Sequence, residues 1–156
     1  MEITEKNKGR IAAISISKRR GVPKSNIKSA ILIPNRGIDG DIHADGSHRQ
    51  ISLLPLESIN KMQESTSIKL RPGIFAENFT TEFIDYKKII IGTKLKIGND
   101  SILEVTQIGK ECHNRCAIYE SAGNCIMPDE GVFARVISGG EINVNDIIEV
   151  ISFDEQ

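Results

Sequence analysis

At 156 residues, with a formal net charge of −1, 4% aromatic residues and no tryptophan, the chain has the length of one domain whose core must be aliphatic. The near-neutral balance gives no electrostatic case for nucleic acid or an anionic membrane surface as the main partner, and no apolar run reaches the length needed to span a bilayer. The opening residues Met1-Glu2-Ile3-Thr4-Glu5-Lys6 lack the apolar stretch of a signal peptide, so a cytoplasmic location with reduced cysteines is expected.

Residues 10–17 place apolar side chains two apart and predict a first strand. Residues 30–33 predict a second, stopped by Pro34 and the Asn35-Arg36-Gly37 turn. Residues 49–54 predict a third. Pro55 then stands where the first turn of a helix tolerates proline, and Leu56, Ile59 and Met62 recur at helical spacing. Further strands are predicted at 89–91, 94–97, 102–108, 132–137 and 147–151, with Gly92, Gly98, Asn99 and Asp100 marking turns. Strands at this spacing with few helices predict a mainly β fold, a barrel or sandwich rather than a βαβ repeat. No repeat, low-complexity tract or linker divides residues 9–151, which read as a single domain. Residues 1–8 and 152–156 are polar and expected to fray.

All three cysteines fall between positions 112 and 125, and an odd count argues against a closed disulfide framework. Three readings of the cluster stand side by side. Cys112 and Cys125 can be small side chains filling apolar gaps. Cys112, His113, Cys116 and Cys125 can be zinc ligands, although the usual two spaced pairs are missing and adjacent Cys112 and His113 are poorly placed to reach one ion. Cys116 can be a reactive thiolate: it follows Arg115 and lies near His113 and Lys110. Positive neighbours lower a thiol's pKa, which favours nucleophilic attack or soft-metal binding.

Four ordered blocks then set the cluster in a wider pattern. They are Gly37-Ile38-Asp39-Gly40-Asp41-Ile42-His43-Ala44; Arg49-Gln50-Ile51-Ser52-Leu53-Leu54; Pro72-Gly73-Ile74-Phe75-Ala76-Glu77-Asn78-Phe79-Thr80-Thr81; and Ile108-Gly109-Lys110-Glu111-Cys112-His113 continuing to Cys116, Cys125-Ile126-Met127-Pro128, Gly131-Val132-Phe133-Ala134-Arg135-Val136 and Gly139-Gly140. Together they resemble the MOSC domain, found at the C-terminus of molybdenum-cofactor sulfurases, and most closely its small prokaryotic forms. The resemblance implies a β-barrel with a few short helices that binds the pterin–molybdenum cofactor (molybdopterin) or carries sulfur as a cysteine persulfide. In the related amidoxime-reducing enzymes the metal-ligating cysteine follows an arginine. Arg115-Cys116 matches that pair, so the resemblance makes Cys116 the expected catalytic and molybdenum-ligating residue, with Cys112, His113 and Cys125 as accessories. The pyridoxal-phosphate chemistry of sulfurases belongs to a separate domain, so such a role here requires a partner protein; the partners the resemblance implies are a cysteine desulfurase or a molybdoenzyme. Whether the chain catalyses or only binds and delivers the cofactor stays open. Nothing resembles a flavin or haem site.

The resemblance also names Arg49, His43, Glu77, Asn78, Arg115 and Arg135 as cofactor-binding candidates, each with a plainer alternative. Gly37-x-x-Gly40-Asp41-x-His43 is also a turn followed by a strand start, and Asp39, Asp41 and Asp45 are misspaced for a calcium loop. In the functional reading His43 is a donor or proton carrier in a cleft. His48 and Arg49 suit a phosphate or pterin, or a surface salt bridge. Glu77-Asn78 either caps a turn or bonds a polar ligand. Arg135 points into the site or out to solvent. Gly139-Gly140 reads as a tight loop, since a phosphate-cradling loop would need a helix after it.

Overall fold

A ring with an odd number of strands cannot alternate direction all the way round, and this barrel resolves the mismatch with one parallel pair. The computed structural model describes residues 7–20, 22–109, 126 and 130–151. Its strands are β1 (Lys8–Ile16), β2 (Ser25–Ile27), β3 (Ser29–Ile33), β4 (Gly37–Ile38), β5 (Ile51–Pro55), β6 (Phe79–Glu82), β7 (Lys94–Ile97), β8 (Ser101–Ile108), β9 (Val132–Ser138), β10 (Gly140–Asn143) and β11 (Ile147–Ile151), with a short helix, α1 (Leu56–Met62). The main sheet runs β11-β7-β8-β9-β5-β6-β1 and closes through β11–β1, and β2 extends it along β1. Every neighbouring pair is antiparallel except β5–β6, where Leu53 lies opposite Phe79. β10, β3 and β4 form a second antiparallel sheet.

Parallel neighbours need a crossover connection, and residues 56–78, which open with α1, supply it. α1 is too short to be stable alone. Its apolar face (Ile59, Met62) packs with Leu54, Phe75 and Phe133 into a small cluster outside the barrel. All five residues of β5 are therefore buried, as expected of a strand covered on both faces. The barrel interior is apolar and mostly aliphatic: Ile11, Ile14, Ile51, Leu53, Phe79, Leu95, Ile97, Leu103, Val105, Val132, Ala134, Val136 and Ile148 share one core. Strict alternation along β1 would turn Ile11 and Ile14 to opposite faces. The register shift between Ile11 and Ala13 is the bulge that lets both face inward. No helix among the described residues is long and apolar enough to cross a membrane.

The predicted strands at 10–17, 30–33, 49–54, 94–97, 102–108, 132–137 and 147–151 correspond to β1, β3, β5, β7, β8, β9 and β11. The strand predicted at 89–91 is absent. Both neighbours of β7 are already taken by β8 and β11, so these isoleucines have no ladder to join. Ile89 turns into the core, whereas Ile90 and Ile91 are 51% and 62% exposed. Asn7 and Lys8, expected to fray, are held. Lys8 pairs with Glu149, and the Asn7 side chain exchanges hydrogen bonds with the backbone of Asp85 in both directions. Gly139-Gly140 is not simply a loop, since Gly140 begins β10 and pairs with Leu32.

The loop 39–50, which leads from β4 to β5, is folded back on its own root. Gly37 has φ +135°, and a Cβ there would lie 3.0 Å from Gln50 O and 3.2 Å from Ala44 Cα. Both halves of the loop thus cross one glycine. Gly37→Ala combines a strained backbone with these contacts and is expected to cost about 2 kcal/mol or more in urea unfolding. Wild-type stability in that variant would show that the loop does not close over Gly37.

Candidate functional site

The most unusual side chain in the fold is Lys24, which has no exposed surface. A lysine is rarely buried without partners for its charge. Three elements converge to supply them: Ser17 at the end of β1, Lys24 just before β2, and Asp41 and His43 on the loop 39–50. Lys24 Nζ lies 2.7 Å from Asp41 Oδ1, 3.2 Å from Ser17 Oγ and 3.3 Å from His43 Nδ1. Each of the three ammonium protons therefore has an acceptor. An ammonium cannot accept, so His43 Nδ1 must, and the imidazole proton sits on Nε2. His43 is the only member with an appreciably exposed side chain, at 31%.

Asp41 is gripped just as fully. Oδ1 accepts from the Ser17 amide at 3.0 Å as well as from Lys24, and Oδ2 accepts from the His43 amide at 3.2 Å. Burial works against the carboxylate, but its hydrogen bonds, those from Lys24 and the Ser17 amide among them, outweigh it and hold the Asp41 pKa well below the usual carboxylate range. The backbone locks the same contact, with Ile42 N donating to Ser17 O at 2.8 Å. Neither Lys24 nor the pairing role of Asp41 stands out in the sequence. Lys24 follows Lys18, Arg19 and Arg20, a run that reads as solvated charge.

Glu77 and Asn78 lie beneath this cluster and are fully engaged within the fold. The Glu77 carboxylate accepts from Gly73 N at 2.7 Å, Thr80 Oγ1 at 2.9 Å and Phe75 N at 3.2 Å. Burial pushes its pKa up, and these bonds offset only part of the shift. The turn it ties is pressed against Lys24: Lys24 N donates to Gly73 O at 2.8 Å. A Cβ on Gly73 (φ +92°) would come within 2.7 Å of Lys24 O and 2.8 Å of Ser15 Oγ. Asn78 stitches β1 to β5 where β6 begins, accepting from Ser52 N and donating to Ser15 O, both at 3.0 Å. Glu77 thus holds the turn that meets Lys24, and Asn78 holds β1 to β5.

The loop 39–50 also delivers His48 and Arg49, to a second position on β8 and β9. Arg49 Nε donates to Gln107 Oε1 at 3.1 Å, and its guanidinium carbon lies 5.5 Å from the centre of the Phe133 ring, a cation–π arrangement. His48 Nε2 is 2.8 Å from the same Gln107 oxygen. Gln107 Nε2 donates to Gly109 O at 2.7 Å, and Gly109 N donates to Gly131 O at 2.6 Å. Arg135 lies on the outer face of β9, bonded through Nε and Nη2 to Glu104 Oε1 at 2.9 and 2.6 Å. This is a cross-strand ion pair.

Cys112, His113, Arg115, Cys116 and Cys125 lie outside the described residues. Among those described, no group of three or more His, Cys, Asp or Glu side chains could hold a metal ion. Asp41→Asn removes the charge opposite a wholly buried ammonium and is expected to cost about 3–5 kcal/mol at pH 7. Because the folded pKa of Asp41 is depressed, its contribution is complete above the unfolded value of about 3.9 and is lost as pH falls through the lower folded value. The stability gap between wild type and Asp41→Asn in urea should therefore stay constant from pH 7 to about pH 5 and narrow only in stronger acid. A gap that closes between pH 7 and about pH 5 would contradict the pairing.

The comparisons with known proteins agree with this architecture. The MOSC domain model matches residues 39–149. Among solved structures, the YuaD protein from Bacillus subtilis superposes with a TM-score of 0.80 at 15% identity, covering 97% of this chain and 100% of that one. YiiM from Geobacillus stearothermophilus gives 0.69 at 16% identity over 92% of this chain and 75% of that one. YiiM from Escherichia coli gives 0.63 at 16% identity over 94% and 72%. At such identities these likenesses show the fold alone. No curated protein matches by sequence. The family match spans most of the chain, including the loop 39–50 that carries Asp41, His43 and Arg49, and the chain belongs to the MOSC domain family.

Proposed function

We propose that this chain binds the pterin–molybdenum cofactor and carries sulfur as a persulfide on Cys116. The observation that supports this reading is a convergence. The loop 39–50 brings His48 and Arg49 to Gln107, and Gln107 is bonded to Gly109, the residue from which the cysteine-bearing segment 110–125 departs.

The described residues suit an anionic, polar ligand. Arg49 uses Nε within the protein, and among the described residues both Nη groups remain available for oxyanions. His43 offers an Nε2–H donor set by Lys24. In this reading Arg49, His43, Arg115 and Cys116 would hold the cofactor, which supplies molybdenum, a soft centre for thiolate ligation. Glu77 acts indirectly by holding the turn that meets Lys24, Asn78 by joining β1 to β5, and Arg135 joins only if its bond to Glu104 opens.

Sulfur loading needs no added oxidant when the donor is a cysteine persulfide on a desulfurase partner. The Cys116 thiolate attacks the terminal sulfur, the donor's S–S bond breaks as a new one forms on Cys116, and the donor cysteine leaves as a thiolate. Arg115 favours the attacking thiolate by its charge. After exposure to a charged desulfurase, mass spectrometry is expected to find an adduct of about 32 Da, one sulfur atom, on Cys116, absent from Cys116→Ser. No adduct, or one confined to Cys112 or Cys125, would refute the carrier role.

One observation favours a second reading, a non-catalytic module that binds and delivers the cofactor. Every proton of Lys24 is engaged within the protein, which is the state of a scaffold rather than of a poised acid or base. Cys116→Ser that still binds and delivers cofactor would select this reading. Stoichiometric zinc in the purified chain would select the zinc alternative for Cys112, His113, Cys116 and Cys125.

A further inference from the structure

We propose that Gln107 is a positioning residue that sets Arg49 and His48 as a paired site for a phosphate-type anion at the root of the cysteine-bearing segment. The inference deepens the functional reading above, and rests on it only for which phosphate compound occupies the pair.

Gln107 reaches this position through a local irregularity. In a regular strand it would share the inward face of Val105. The register shift between Val105 and Gln107 instead sets it opposite Phe133, whose ring belongs to the cluster outside the barrel. There one amide meets three partners: Nε2 donates to Gly109 O, and Oε1 faces both Arg49 Nε and His48 Nε2. A carbonyl can only accept and a guanidinium can only donate, so the amide has one permitted orientation. With its oxygen facing the imidazole, His48 carries a proton on Nε2, and in the Nε2–H tautomer Nδ1 presents a lone pair.

Arg49 is fixed in the same way, by Nε on one edge and by the Phe133 ring against its face. Both its Nη groups lack a partner among the described residues. The pair therefore combines a forked cationic donor with an adjacent acceptor nitrogen. Its complement is a phosphate that keeps one hydroxyl, with charged oxygens on the fork and the P–O–H directed at His48 Nδ1. Sulfate carries no proton at neutral pH and meets only the fork. Free hydrogen phosphate keeps that hydroxyl at neutral pH, whereas the phosphate monoester end of an organic ligand, with a second pKa of about 6, keeps it only in its monoanionic form.

The loop does not depend on Gln107 for its backbone. Thr106 Oγ1 donates to His48 O, and Arg49 N donates to Ser47 Oγ at 3.2 Å. Gln107→Leu should therefore fold. Gln107→Glu, which keeps the acceptor, is the control.

The test is NMR of the imidazole nitrogens in the full chain at pH 7, with inorganic phosphate and sulfate as probes. Wild type is expected to hold His48 as the Nε2–H tautomer and to bind phosphate more tightly than sulfate. Gln107→Leu is expected to lose the tautomer preference and bind phosphate about tenfold more weakly. Gln107→Glu is expected to keep the tautomer. A glycerol phosphate titration, with each affinity referred to the hydroxyl-bearing form of the ion, separates the sources: tighter binding than inorganic phosphate points to an organic ligand, and weaker binding to the free ion. An Nδ1–H tautomer in wild type, no phosphate binding, or unchanged phosphate affinity in folded Gln107→Leu would overturn the proposal. These readouts use the free protein and simple ions. A failure of Cys116 to take up sulfur leaves them standing, and their failure leaves the Cys116 experiment untouched.

Discussion

The arrangement of this protein's polar groups depends on one buried ion pair, Lys24 with Asp41. Both side chains are removed from water, and a charge in that position is tolerated only with a partner and with its remaining hydrogen bonds made. Satisfying that demand draws in Ser17 from the end of β1, His43 from the loop 39–50 and, through Gly73, the turn held by Glu77. The ion pair is thus less a source of net stability than a specification. In the path the loop 39–50 takes, Asp41 lies against Lys24 and Ile42 N bonds Ser17 O.

That path has consequences further along the chain. With Asp41 anchored and Gly37 lying under both Ala44 and Gln50, the loop enters β5 with His48 and Arg49 beside Gln107. The parallel β5–β6 pair supports the same region from the other side. Its crossover places α1 and Phe75 over Phe133, and Phe133 is the ring on which Arg49 rests. Barrel closure and site geometry are therefore linked through β5 and β9. The remote ion pair of Arg135 and Glu104 takes no part in this chain of contacts.

Much of the barrel is legible in the sequence because its longer strands carry aliphatic side chains in alternation. β6 was not, since Phe79-Thr80-Thr81-Glu82 offers one large apolar residue and hides two threonines that the fold buries. The triple isoleucine at 89–91 misleads in the opposite sense: β-branched composition suggests a strand, but a closed ring has no free edge beside it. In the site, the family pattern singles out His43, Arg49, Glu77 and Asn78, yet not their division between a surface pair and a buried floor. Lys24 could not be found this way. One lysine among several differs only in its tertiary surroundings, which no local pattern encodes. Gln107 depends on a bulge, and the position of a bulge follows from strand pairing rather than from the strand's own residues.

Native-state hydrogen exchange in Lys24→Met tests whether the Lys24–Asp41 pair sets the course of the loop 39–50. A localised loss of protection is expected. Amides of the loop, including Ile42 and His43, and of the turn 73–76 should exchange as fast as unprotected backbone, while those of β7, β8 and β11 keep their protection. Unchanged protection in the loop, or an even loss across the barrel, would contradict it.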